Sequence, residues 1–305
     1  MDGIIALYKD RGMTSFACVS RLRHVLHEKR IGHAGTLDPG VDGVLPICVG
    51  KATKVVNFLH EQPKTYVGEL LVGTATESED LDGKVIAHQD VDAAISDEQI
   101  KAAMKKLTGQ ITQVPPMYSA VRVNGKHLYE YARAHQEVDR PKRQVTIYQF
   151  DLVSTNYEDD QHQQRIRFKV KCSKGTYVRT LAVDLAKLIG YPGVMSSLTR
   201  VASGGFTIDQ TVSLHDIDDL VANQLIGEYL LPIETVFEDW PQVKLSKEQW
   251  QAVKNGGWLT TKELPTDAER IALFFGGRLK ALYYRADDEH YKPLKMISVS
   301  EEDAS

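Results

Sequence analysis

Eight residues, 165–172, constrain the fold of this chain more than any others. Ile166, Phe168, Val170 and Cys172 alternate with Arg165, Arg167, Lys169 and Lys171. Successive side chains of an extended strand point to opposite faces, so this period of two predicts a strand with one face in a core and a cationic face in water. A sheet buried on one face needs other elements laid over it, and the rest of the chain offers them. Residues 4–8, 65–73 and 144–157 read as further strands. Helical spacing recurs in Phe16, Val19, Leu22 and Leu26, with Thr14 or Ser15 as cap, and in Ala52, Val55, Val56 and Leu59. Ser96 and Gln99 form a capping box before Ile100, Ala103, Met104 and Leu107, with Gly109 as the stop. Leu181, Leu185 and Leu188 mark another helix, closed by Gly190. Strands and helices mix without a regular βαβ rhythm, which predicts an α+β fold.

At 305 residues the chain exceeds what one core usually holds, so a large domain plus a small one is expected. The boundary falls near residues 237–241. Beyond it, Ser246 and Gln249 form a second capping box over a short helix ending near Gly256. Residues 271–275, Gly276-Gly277 and residues 278–284 then predict a hairpin. No apolar run approaches the ~18 residues of a membrane span, and the opening MDGIIALYKD is too short in apolar length for a signal peptide. A cytoplasmic protein is expected. Cys18, Cys48 and Cys172 lie far apart with no C-x-x-C, so they read as buried structural thiols, with neither a metal site nor a disulfide framework indicated.

The net charge of -4 argues, alone, against a nucleic-acid partner. Its distribution tells more. Acid gathers in Glu77, Glu79, Asp80, Asp82, Asp90, Asp92, Asp97 and Glu98, and again in Asp287, Asp288, Glu289, Glu301, Glu302 and Asp303. Base gathers in Arg122, Lys126, Arg133, Arg140, Lys142 and Arg143, then in residues 165–179. Such segregation allows one basic face on an acidic protein, although charge alone favours ordinary solvated faces. Residues 118–143, polar, basic and weakly periodic, read as an insertion rather than core.

One stretch, GHAGTLDPGVDGVLPICVGKATK at residues 32–54, places a carboxylate, Asp38, in a Gly/Pro-rich loop between a helix and a buried strand. Pro39 cannot donate a backbone hydrogen bond, and Gly35, Gly40 and Gly43 allow tight turns. By itself an Asp-Pro loop is ordinarily turn chemistry. However, the stretch resembles the signature of the TruB family of tRNA pseudouridine synthases, whose catalytic aspartate lies in a G-H-x-G-x-L-D-P segment. Further segments match that family in order: KTYVGELLVG at 64–73, TATESEDLDG at 74–83, VPPMYSAVRVNGKHLYEYAR at 114–133, CSKGTYVRTLAVDLA at 172–186 and SSLTR at 196–200. The resemblance covers about residues 4–237. One departure lies outside the catalytic loop, where Lys9-Asp10 stands in place of the family's usual Lys-Pro.

The resemblance implies a pseudouridine synthase fold. A mixed, mostly antiparallel sheet flanked by helices would form a catalytic domain over 1–237. An RNA-gripping thumb would occupy about 115–143, and a mostly-β, PUA-like RNA-binding module 238–305. It implies isomerisation of uridine-55 in the T loop of tRNA, which changes no oxidation state and needs no cofactor. The catalytic set would be Asp38, Tyr66 and Arg179. Asp38 must be ionised, a form that a neighbouring cation favours. Whether it attacks the sugar, attacks the base or promotes elimination stays open. Tyr66 would stack on the uracil, with a hydroxyl able to move a proton. Substrate contacts would come from His33, a planar wedge filling the stack vacated by the flipped base, and from Tyr177 and Leu198 around the uracil. Asp80 would either steady Arg179 or merely sit in an acidic turn. Lys126, Arg133, Arg140, Lys142 and Arg143 would grip phosphates. The implied partner is the T stem-loop, met by a monomer acting without guide RNA or membrane. Two rivals are an RNA-binding protein without catalysis and a glycosidase with paired carboxylates, for which Asp42 is the one nearby candidate.

Overall fold

The computed structural model describes residues 1–300, and Glu301, Glu302 and Asp303 of the acidic tail lie outside them. The alternating segment is the strand Gln163–Cys172, and its apolar members are fully buried while Arg167, Lys169 and Lys171 face water. It lies inside a ten-stranded sheet. Across the sheet the strands run Val212–Ser213, Gly3–Lys9, Asp42–Val49, Gly193–Ser203, Lys64–Val72, Gln163–Cys172, Arg143–Glu158 and Gly109–Gln113, with two short strands paired off this path. Most neighbours are antiparallel; Gly3–Lys9 with Val212–Ser213 and Asp42–Val49 with Gly193–Ser203 are parallel.

Helices Ser15–Val25, Asp97–Lys106 and Val178–Ile189 cover one face through Leu22, Met104, Leu181 and Leu185, which meet Leu70, Phe168 and Val170 from the strands. Each fully buried side chain of this size contributes roughly 1.5–3 kcal/mol. The Ser96–Gln99 capping box forms as predicted, and Gly190 ends its helix in the left-handed conformation. Three expectations change. Phe16 and Leu188 lie on exposed rather than core faces, because the buried stripe of the first helix runs through Ser15, Cys18, Val19 and Leu22. The helix expected around Ala52 to Leu59 begins as the 3-10 turn Gly50–Val55 and becomes α-helical only at Val56–Glu61.

The C-terminal segment forms a five-stranded sheet, including the predicted hairpin as Arg270–Phe275 and Arg278–Arg285, with the capped helix Lys247–Val253 packed on it. Trp250, Tyr283 and Tyr291 fill its own core. It also shares a second apolar cluster with the back of the main sheet: Ala272, Leu279, Leu282 and Ile297 meet Ile4, Ala6, Val44 and Cys48. The chain boundary near residue 240 is therefore not a gap in packing. All three cysteines are free and buried.

The two parts of the main sheet join at a narrow seam. Asp42–Val49 pairs with Gly193–Ser203 only at Thr199↔Asp42 and Arg200↔Gly43. Gly43 has φ +108, and an added Cβ would lie 2.2 Å from the Arg200 carbonyl oxygen. Gly43→Ala is expected to destabilise the protein by more than about 2 kcal/mol, since backbone strain adds to a clash that no side chain can relieve. Urea unfolding tests this; a loss under about 0.5 kcal/mol would show that the seam can open without penalty.

Candidate active site

The loop carrying Asp38 crosses the sheet seam, and four contacts fix it. The Ser15 hydroxyl accepts from Leu37 N at 2.9 Å, and Gly12 N donates to the Pro39 carbonyl at 2.8 Å. Val41 N donates to the Asp38 carbonyl at 3.0 Å. From beneath, the fully buried Lys9 ammonium donates to the carbonyls of Met13 at 2.8 Å, Asp10 at 3.0 Å and Pro39 at 3.4 Å. Burial pushes the Lys9 pKa down, and nearby acids oppose that shift. The Asp38 side chain stays 52% exposed, free at its outer edge.

Arg179 meets it from the first turn of Val178–Ile189. Its guanidinium is almost wholly enclosed, with three hydrogen-bond acceptors and one further ion-pair partner. Nη2 lies 2.9 Å from Asp38 Oδ2 as an ion pair and donates to the Tyr118 carbonyl at 2.9 Å. Nη1 donates to Asp80 Oδ2 at 3.1 Å and to the Ser78 carbonyl at 2.9 Å. Asp80 is thus a partner of Arg179 rather than a bystander, and it is itself held by the Ser78 hydroxyl and Asp82 N. Charge-assisted bonds in a planar fork fix direction as well as distance.

These groups border a cavity of about 460 Å³, lined by Leu37, Asp38, Val41, Tyr66, Tyr177, Arg179 and Leu198 among others. Such a volume suits a small planar ligand. Tyr66 stands on Lys64–Val72, and burial raises its pKa, partly opposed by the nearby Arg200 charge. Leu198 faces Gly68 on that strand, where an added Cβ would meet Leu198 Cδ1 at 2.8 Å. Tyr177 is held through its backbone by the Gln113 side chain.

Five of the site residues expected from sequence therefore share one cavity: Asp38, Tyr66, Tyr177, Arg179 and Leu198. Asp80 stands behind Arg179. His33 does not line this cavity; it ends the short strand Ile31–His33 opposite Ile47, and its Nδ1 is buried without a protein partner. Burial, then the charges of Arg200 and His60, lower its pKa. Asp42 is turned to Arg11, which donates to it at 3.0 Å, so it forms no acid pair with Asp38.

The basic insertion is more ordered than its weak periodicity suggests. It contains a small hairpin, Arg122–Val123 with Lys126–His127, and the helix Leu128–Arg133, anchored by fully buried Leu128. Lys126 lies over the Tyr131 ring and Arg133 over Tyr129. Arg140 donates to the Pro115 carbonyl, and Lys142 is exposed. Arg143 opens the strand Arg143–Glu158, lies 5.9 Å from the Tyr177 ring centroid and lines the cavity that holds Asp38.

Sequence reading missed three buried cations. Lys64 donates to the His60 and Gln62 carbonyls, Arg200 donates to Val44 and Gly35 carbonyls, and Lys9 supports the loop as described. A signal existed for two of them. Lys64 lies two residues from Tyr66, and Arg200 two from Leu198, so strand periodicity puts each on the cavity face. Lys9 is signalled only by its place before the matched loop.

A family model described as TruB family pseudouridylate synthase (N terminal domain) matches residues 23–178, and one described as tRNA pseudouridylate synthase B C-terminal domain matches residues 179–238. The chain is 59% identical to the tRNA pseudouridine synthase B of Limosilactobacillus reuteri (strain DSM 20016), over 98% of this chain and 100% of that one. It is 50% identical to the protein of the same name from Levilactobacillus brevis, with the same coverage. Among solved structures, a chain in the crystal structure of a Cbf5-Nop10-Gar1 complex aligns over 97% of this chain and 85% of its own, with TM-score 0.73 and 25% identity.

Burial lowers the Lys64 pKa to about 8, with Arg200 adding to the shift. Between about pH 8 and the ordinary lysine value of ~10.4, the unfolded chain holds a proton that the folded chain has released. Stability therefore rises with pH across that window through this residue. Lys64→Met is expected to remove this rise, read as the difference in urea midpoint between variant and wild type from pH 7.5 to 10; parallel pH profiles would mean that Lys64 titrates normally.

Proposed function

The chain belongs to the TruB family of pseudouridine synthases, and we propose that it converts uridine-55 in the T loop of tRNA to pseudouridine with Asp38 as nucleophile. The observation that carries this reading is the Asp38–Arg179 ion pair at the mouth of a cavity walled by Tyr66, Tyr177 and Leu198. An apolar slot with an aromatic ring accepts a planar base. A carboxylate at its rim, oriented by an arginine, meets the sugar end of that base. Nothing in the isomerisation changes oxidation state, so the chain's own residues suffice without a cofactor.

The geometry supports the following course. A loop uridine is unstacked, at a cost of a few kcal/mol, and enters the cavity. His33, five residues before Asp38 and outside the cavity lining, serves as the wedge in the vacated stack. Asp38, beside Arg179, drives cleavage of the C–N bond, and the bonding pair leaves on N1 of the uracil. The uracil, held against Tyr66, turns and rejoins the sugar through C5, which gives up its proton while N1 takes one. The Tyr66 hydroxyl, kept protonated by burial, is placed to hand over or receive a proton.

Recognition is assigned to the thumb at about 115–143, through Lys126, Arg133, Arg140 and Lys142, with Arg143 acting at the cavity itself. The C-terminal unit, 238–305, is taken as a PUA-like module reaching toward the acceptor stem. Its shared apolar cluster with the main sheet supports a fixed orientation. The protein acts as a cytoplasmic monomer without guide RNA. Likeness to proteins named tRNA pseudouridine synthase B over their whole length supports action on tRNA, and no helix among the described residues is long and apolar enough to cross a membrane.

A tRNA transcript with tritium at carbon 5 of its uridines tests the reading. Wild type is expected to release tritium from position 55, and Asp38→Asn to release less than a thousandth as fast while binding the tRNA as tightly. Binding without release by either protein would establish an RNA-binding protein instead, and free uracil among the products would establish a glycosidase.

A further inference from the structure

Four buried polar side chains line the catalytic cavity: Lys64, Ser119, Arg179 and Arg200. Three are committed to protein acceptors, as described above. Ser119 is not. It is 6% exposed, yet no protein group lies within hydrogen-bonding reach of its Oγ. A buried hydroxyl without a partner is costly and uncommon, and it asks for a reason. Here the surroundings supply one, because the hydroxyl borders the cavity that holds Asp38.

The backbone beside it is also fixed. Arg179 donates to the Tyr118 carbonyl at 2.9 Å, and Tyr129 N donates to the Ser119 carbonyl at 3.2 Å from the first turn of the thumb helix. Ser119 cannot move toward another partner without disturbing the arginine that orients Asp38. The same bond joins the thumb root to the nucleophile through one guanidinium, so a grip on RNA and the position of the hydroxyl are mechanically linked.

We propose that Ser119 is a substrate-recognising residue whose hydroxyl hydrogen-bonds the polar edge of the uracil bound in the cavity. The proposal rests on the uridine-isomerising reading above. The apolar lining residues Leu37, Val41 and Leu198 satisfy none of the carbonyl or N–H groups of a uracil, and the buried cations Lys64, Arg179 and Arg200 already have protein acceptors. Turning the base so that C5 replaces N1 at the sugar exchanges its two carbonyls and brings N1–H to where C5–H stood, so the edges of the base offer both carbonyl acceptors and N–H donors. A hydroxyl donates and accepts; it can partner either group, whereas a lysine or arginine partners only a carbonyl.

Opposite effects on stability and activity make the test specific. Ser119→Ala removes an unsatisfied hydroxyl, so its Tm should equal or exceed that of wild type. Its kcat for tritium release from the tRNA transcript should fall about tenfold, the size expected for one neutral hydrogen bond, while tRNA affinity, set by phosphate contacts, stays within twofold. Ser203→Ala is the control. Ser203 is 1% exposed with an equally unpartnered hydroxyl, but it is not a cavity-lining residue, and its kcat should match wild type. The inference is overturned if an active wild type and Ser119→Ala differ less than twofold, if Ser203→Ala loses as much, or if Ser119→Ala melts several degrees lower. A wild type that releases no tritium sinks the functional reading first, and this inference with it.

Discussion

One guanidinium organises this protein. Arg179 reaches the Asp38 loop, the acidic turn at Ser78–Asp80 and the start of the basic insertion at Tyr118, and it is buried while doing so. A cation removed from water must be fully hydrogen-bonded or it destabilises the fold. Its three hydrogen-bond acceptors and the ion pair to Asp38 meet that demand, and three chain segments far apart in sequence are thereby fixed to a single point. The carboxylate it faces keeps one side open to solvent. Only that open side is left for a substrate.

The sheet seam explains why the site lies where it does. Two strands that meet at only two residue pairs leave their neighbouring ends splayed, and the loop before Asp42 fills the opening. Gly43 permits the contact, and Arg200, whose backbone touches it, sends its side chain back to the Val44 and Gly35 carbonyls. The Asp38 loop is thus tied to the sheet on one flank by Arg200 and on the other by Lys9. Buried cations bonded to backbone carbonyls form its frame, a rigid support of the kind that precise chemistry needs.

Local rules that depend on neighbours in sequence were legible. The alternating strand, the Ser96 and Ser246 capping boxes, the Gly190 stop and the Gly-Gly hairpin each formed where their residues indicated. Failures came where a decision belonged to distant residues. Periodicity gave the first helix an apolar stripe but not which flank the sheet would cover, and Phe16 ended on the wet side. Arg143 was read with the thumb because basic residues precede it, yet strand pairing with Gln113 carries it to the cavity. Ser119 was invisible within its motif, since its importance lies in a contact it lacks.

What the sequence determined by itself is the inventory and the local geometry: one aspartate in a glycine loop, a tyrosine on a strand, an arginine opening a helix, and motifs in an order that resembles one family. These follow from backbone sterics and the side-chain period, which act over a few residues. Tertiary structure decided the company each residue keeps. It paired Asp80 with Arg179, turned Asp42 away to Arg11, set His33 outside the cavity, and joined the C-terminal sheet to the back of the catalytic one. Those outcomes depend on which distant groups can satisfy a buried charge or cover an apolar face, and that is settled only when the chain closes on itself.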